Sequence, residues 1–169
     1  MTNYEETLNK FIQYVVSQAK RNLTTSGKNA SKKLYNSIKG ETKQFPNSIG
    51  IYFDMEDYGF FQDKGVSGIK KKYNTPFSYK TKMPPPNAFD KWTIKRGIAP
   101  RNTKGQFKTR KGLNFAIARS IFEKGIKPSL FFTKPFEAAF KKFPDELIDS
   151  YGLDVVDLFD SIMKPNLKK

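Results

Sequence analysis

Between residues 4 and 23, Tyr4, Leu8, Phe11, Ile12, Val15, Ala19 and Leu23 recur at steps of three and four, the period of a helix with one apolar face. Gly27 within the polar run Thr24 to Asn29 ends it, and Leu34 and Ile38, one turn apart, predict a short second helix. Two runs rich in aromatic and β-branched residues follow, Ser48 to Phe53 and Tyr58 to Asp63, with the turn-forming Asp54 to Asp57 between them. Their composition predicts an antiparallel hairpin, its aromatics filling a core.

From Gly65 to Gly112 the pattern dissolves. Gly65 and Gly68, the triplet Lys70, Lys71 and Lys72, then Pro76 and the run Pro84 to Pro86, which cannot continue a helix, read as an excursion from the domain. Asn87 to Arg96 predicts a short helix, with Phe89 and Trp92 three residues apart and Gly97 as its stop. Residues 101–112, RNTKGQFKTRKG, hold five basic residues and almost nothing apolar, and are expected as a mobile loop.

Helical period returns at Leu113 to Lys124, which would place Leu113, Ala116, Ile117, Ser120 and Ile121 on one face before Gly125. Ile126 to Phe132 reads as a short strand or an extended connection. A helix with Pro135 in its first turn follows over 134–143, then a last helix from about Asp145, its acids suited to a helix N-terminus. Leu147, Ile148, Tyr151, Val155, Leu158, Phe159 and Ile162 supply its apolar positions, and Gly152 is a point where it could divide. Helices at both ends and strands between them give an α+β chain of one domain, residues 1–169, carrying a basic excursion at about 66–112.

Composition then limits the chemistry. The 169 residues include no cysteine and no histidine, which removes disulfides, Ser-His and Cys-His pairs and the usual ligands of zinc or copper. No phosphate-binding glycine loop or dinucleotide fingerprint occurs. The acids Asp54, Glu56, Asp57 and Asp63, with Lys64 beside them, are the best carboxylate cluster, yet they lack the acid-x-Lys spacing of a magnesium-dependent nuclease and suit turns facing solvent. No catalytic residue, metal or cofactor is expected. Glu5 and Glu6 stand where a signal peptide would be basic, and no apolar run approaches the ~20 residues of a membrane span, so the expected location is the cytoplasm or a particle assembled there.

The net charge is +15, and its placement matters more than its size. Residues 64–111 hold fourteen basic residues against Asp90 alone, the mark of a surface built for a polyanion. Three roles fit the candidate contact residues Lys70, Lys71, Lys72, Lys95, Arg96, Arg101, Lys104, Lys108, Arg110 and Lys111: a solvated loop, a patch for an acidic protein, or contact with nucleic-acid phosphates. Interleaved Tyr73, Phe77, Tyr79, Phe89, Trp92 and Phe107 could also stack on unpaired bases. No helix-turn-helix or zinc signature accompanies them, so sequence-specific reading is not expected.

Three ordered stretches resemble the minor virion proteins of tailed bacteriophages known as head-tail connector, neck or tail-completion proteins. Leu34-Tyr-Asn-Ser37-Ile38 is similar to that family's Leu-x-x-Ser-Ile after the first helix. Tyr58-Gly-Phe-Phe-Gln-Asp63-Lys-Gly65 resembles its Tyr-Ala-x-Tyr-x-Glu-x-Gly-Thr strand and turn. Gly125-Ile-Lys-Pro128-Ser-Leu-Phe131-Phe132, with Pro135 and Ala138, resembles the proline-aromatic stretch before its final helix. The resemblance implies helices packed on an antiparallel sheet and a homo-oligomeric ring around the DNA channel between portal and tail, with neighbouring connector, portal or tail proteins as partners. In these roles Gly65 would turn the chain out of a strand, and Pro128 with the Phe pair would lock a return strand. Val66 departs from the family's Thr or Ser, and the excursion is longer and more basic than in compact members. The competing expectation is a free, non-specific nucleic-acid-binding protein acting through residues 64–111.

Overall fold

The computed structural model describes residues 2–27, 31–46 and 48–163, with side chains through Leu158. In chain order the elements are α1 (Asn3–Thr25), α2 (Lys33–Ser37), β1 (Lys39–Phe45), β2 (Ser48–Asp54), α3 (Tyr58–Lys64), β3 (Val66–Ser67), a 3-10 turn (Pro86–Phe89), α4 (Asp90–Lys95), α5 (Arg110–Lys124), β4 (Gly125–Ile126), α6 (Thr133–Phe140) and α7 (Phe143–Met163). The α+β class holds: the helices accompany two small antiparallel sheets, β1-β2 and β3-β4. The chain divides into two compact units. The first comprises residues 1–22, 38–54 and 131–169, and the second residues 23–37 and 55–130.

In the first unit, the helix expected at residues 4–23 forms as α1 and buries Leu8, Phe11, Ile12, Val15 and Ala19. Phe11 sits at the centre of an aromatic cluster, its ring 4.3 Å from Phe143 and 5.9 Å from Phe136, with Phe53 at 6.3 Å. Tilted and edge-on rings at such distances add to the area they bury. The hairpin lies beneath them with Ile51 and Phe53 turned inward. At Gly40 an added Cβ would lie 2.5 Å from Ile12, so only glycine lets the strand approach α1 this closely. Asp154 of α7 accepts the backbone N–H groups of Asn3 and Tyr4, both at 2.8 Å, satisfying donors that the first turn of α1 cannot pair internally.

The hairpin differs from the expected one. β2 pairs with the preceding segment, from Lys39 opposite Asp54 to Phe45 opposite Ser48, and Tyr58 to Lys64 is the helix α3. Its buried residues are Gly59 and Asp63, four apart as helical period demands, while Tyr58, Phe60 and Phe61 are exposed. Aromatic β-propensity misled here because packing, not composition, sets the conformation. β1, with sequence KGETKQF, is nearly all exposed and has almost no apolar signal to reveal it.

In the second unit, β3 runs antiparallel to β4, with Val66 opposite Ile126. On its other side the Ser67 N–H donates to the Phe77 carbonyl and the Ser67 carbonyl accepts from the Tyr79 N–H, each at 2.8 Å. The strands nearly touch: a Cβ at Gly125 would stand 2.1 Å from the Val66 carbonyl oxygen, and one at Gly68 2.3 Å from that of Glu123. Gly125 also has φ +74°, so glycine is required there twice over. Residues 126–132 form no longer strand. Pro128 stands two residues after β4, Leu130 turns with φ +51°, and Phe132 precedes α6.

Other expectations shift by a residue or a face. α2 forms where Leu34 predicts it. Asn87 to Arg96 becomes the 3-10 turn plus α4, with Gly97 at φ +65° as the stop, but Thr93 is its buried residue and Trp92 is exposed. α5 buries Asn114 and Ala118 and leaves Ala116 and Ser120 exposed. Its first turn takes up Arg110 to Gly112, and the rest of the expected mobile loop is closed by hydrogen bonds. α6 ends at Phe140. α7 begins at Phe143 and runs through Gly152 unbroken, burying only Phe143 and Ser150 among its described side chains. Ile148, Tyr151, Val155 and Leu158 are exposed instead of core, and the side chains of Phe159 and Ile162, like residues 28 and 29 of the first turn, lie outside the described ones.

Candidate functional site

The second unit carries the entire net charge. By sequence it holds twenty basic and five acidic residues, a net +15, whereas the first unit holds eleven of each. Charge this segregated creates a potential over one part of the surface.

The lysine triplet is positioned by its backbone. The N–H of Ile69 donates to the Phe122 carbonyl at 3.0 Å, and those of Lys70 and Lys71 donate to the Glu123 carbonyl at 2.9 and 3.3 Å. These are carbonyls that the last turn of α5 leaves unpaired, at the negative end of its dipole, so the loop satisfies the helix and the helix places its cations. Lys70 also pairs with the Glu123 carboxylate at 2.8 Å, which receives Arg119 at 3.1 Å. Hydrogen bonds from these two cations hold the Glu123 carboxyl below its ordinary range. The Lys71 ammonium lies 5.5 Å over the Tyr73 ring.

Residues 101–107 form a second presentation device. The Asn102 side chain accepts the N–H groups of Lys104 at 3.0 Å and Gln106 at 2.9 Å, and the Asn102 N–H donates to the Gln106 carbonyl at 2.9 Å, closing a turn with Gly105 at φ +79°. Arg101 donates to the Gly105 carbonyl at 3.0 Å and lies 4.1 Å over Phe107, a ring 69% exposed. Arg96 donates to the Gly27 carbonyl and lies over Trp92. Asp90, the acid of this stretch, is occupied by a hydrogen bond from Asn114. Among the described residues no carboxylate pairs with Lys71, Lys72, Lys95, Lys104, Lys108, Arg110 or Lys111, all exposed. Of the ten candidate cations, four are thus spoken for in part, Lys70, Lys71, Arg96 and Arg101, and the other six are exposed with no described carboxylate partner.

The stretches that carry the family resemblance serve structure. Leu34 is buried, and a Cβ on Gly59 would meet its side chain. Ser37 donates to the Leu34 carbonyl at 2.9 Å and accepts the Glu56 N–H at 3.1 Å. The Asp63 carbonyl accepts the N–H groups of Ser129 and Leu130. Gly65, at φ +75°, caps α3 rather than a strand, with Pro128 where its Cβ would be. Ile38, Phe131 and Phe132 belong to the first unit; Ile38 and Phe131 are buried. Tyr58 is exposed and borders a cleft of about 630 Å³ lined by Phe61, Val66, Phe77, Tyr79 and Ile126, which sequence reading missed because its walls are far apart in the chain. Burial there pushes the Tyr79 phenol upward.

The acids do not form a metal centre. Glu56 pairs with Lys33 at 2.7 Å, Asp63 is buried in α3, and among the described residues no three carboxylates are grouped to hold an ion. Among the described residues no helix is long and apolar enough to cross a membrane. Comparison with protein-family models, with curated proteins and with solved structures returned no match.

Proposed function

We propose that this chain is a non-enzymatic structural subunit of the head-tail junction of a tailed bacteriophage, a neck, connector or tail-completion protein that assembles as a ring around the DNA channel. The observation that carries this reading is the division of labour between the units. One is electrically neutral and leaves the apolar face of α7 uncovered, as a subunit contact requires. The other holds the whole net charge of +15, part of it on anchored loops. In a ring every subunit repeats that charge, so a modest patch becomes a collar of positive potential that grips DNA without reading bases. The three stretches similar to neck proteins point the same way. The test is the position of the protein in imaged particles: density for it between portal and tail is expected, and purified virions without it would overturn the reading.

A second reading has its own observation. Phe107 is exposed beside Arg101, and Trp92 beside Arg96, the pairing of ring and cation used to stack unpaired bases. A free nucleic-acid-binding protein would bind single strands tightly as a dilute monomer with a steep salt dependence, whereas a ring subunit binds weakly until assembled.

A further inference from the structure

We propose that the exposed face of α7 is a joint: it docks into the aromatic cleft of the second unit of another copy of this chain. The inference deepens the ring reading, on which it rests, by naming the two surfaces that meet.

Ile148, Tyr151, Val155 and Leu158 follow one another at steps of three, four and three, which lines them up as a single stripe. They are 50–70% exposed. A stripe of this spacing is what an apolar groove accepts from a helix. Asp145 and Asp149, four residues apart and both exposed, run along one flank. From Phe143 to Met163 the helix carries six acids and no Lys or Arg, so two copies of α7 side by side would repel, and charge directs the stripe to a basic partner.

The cleft answers both properties. Its walls are mainly apolar, with Gln62 and Ser78 among them and the rings of Phe61 and Phe77 4.6 Å apart. Each of three wall segments leads into an exposed lysine: Lys64 after Gln62, Lys80 after Tyr79, Lys127 after Ile126. None of the three pairs with a described carboxylate. A mainly apolar cleft in a unit of net charge +15, with exposed lysines next to its wall segments in sequence, complements an apolar stripe flanked by acids. Because donor and acceptor surfaces differ, the contact is head-to-tail, and repetition closes a ring when the rotation between copies allows.

The absence of cysteine makes the test clean. Full-length Val155→Cys and Ser78→Cys chains are mixed and mildly oxidised, with Thr42→Cys as the control partner. The expected result is a disulfide-linked heterodimer in at least fivefold excess over the control. Asp145→Lys with Asp149→Lys in the first chain abolishes it, and Lys64→Glu with Lys80→Glu in the second restores it. Tyr151→Ser, which changes no charge, lowers the yield, and circular dichroism verifies that each variant is folded. Dominant Val155→Cys homodimers, a yield equal to the control, or a link formed within one doubly substituted chain independently of concentration would each overturn the joint. Virions that hold the protein at the neck without the link remove the joint and leave the ring. The link in a protein missing from virions removes the ring and leaves the self-association.

Discussion

The two units solve the same folding problem with different materials. The first buries Leu8, Phe11, Ile12, Val15, Ala19, Ile38, Phe131 and Phe143, with Ser150 its one buried polar residue among those described. The second buries Leu23, Leu34, Val66 and Ala118 beside four polar residues, Asp63, Ser67, Thr93 and Asn114. A unit that displays +15 repels itself and has few side chains to spare for a core. It relies on backbone pairing, glycine contacts and polar side chains that tie loops down. Ser67 alone donates to the Tyr73 carbonyl and accepts the Tyr73 N–H. Stability by area suits a neutral body, and stability by hydrogen bonding suits a charged face.

Truncation separates them most sharply. Phe11→Ala should cost about 3–5 kcal/mol, the range for a buried aromatic in a packed core, and hydrogen exchange should show protection lost across the first unit. Gly125→Ala should cost roughly 2–3 kcal/mol, because φ is positive and the added methyl meets the Val66 carbonyl; here the loss should appear in the second unit. Equal loss in both units from either substitution would break the distinction. Replacing Lys104, Lys108 and Lys111 by Gln should leave both units folded and lower the salt slope of duplex DNA binding by about 3, since each neutralised phosphate contributes roughly 0.9. An unchanged slope would show that this loop faces protein.

The smallest effect concerns acid. Surroundings that strip water from Asp154 push its carboxyl up, but the N–H groups of Tyr4 and Asn3 outweigh this and hold it below its ordinary range. A depressed carboxyl stabilises the fold above the unfolded value of about 3.9 and loses that contribution as pH falls through the folded value. Asp154→Asn should therefore flatten the decline of first-unit stability on acidification below about pH 5, as followed by thermal melting. An identical decline would remove Asp154 from the account.

The sequence made the first unit easier to read than the second. α1 was legible because its seven apolar positions share one period, and six of them are buried with Tyr4 partly so. α7 showed the same period, but periodicity reports a face and not what covers it, so Ile148, Tyr151, Val155 and Leu158 read as core. The segment Tyr58 to Asp63 misled because its aromatics are exposed while Gly59 and Asp63 do the packing. Glycine contacts between residues 65–68 and Gly125 are long-range and leave no periodic trace. The cationic residues were all visible in the sequence. Their anchoring was not, since it depends on α5 carbonyls some fifty residues away.

That anchoring has a consequence for protease attack. Trypsin needs an extended substrate with free backbone amides, and the amides at Lys70 and Lys71 are engaged with the end of α5. Cleavage in the triplet must wait for the last turn of that helix to open. Exposed as they are, these lysines will be cut in proportion to the fraction of time that the end of α5 is frayed.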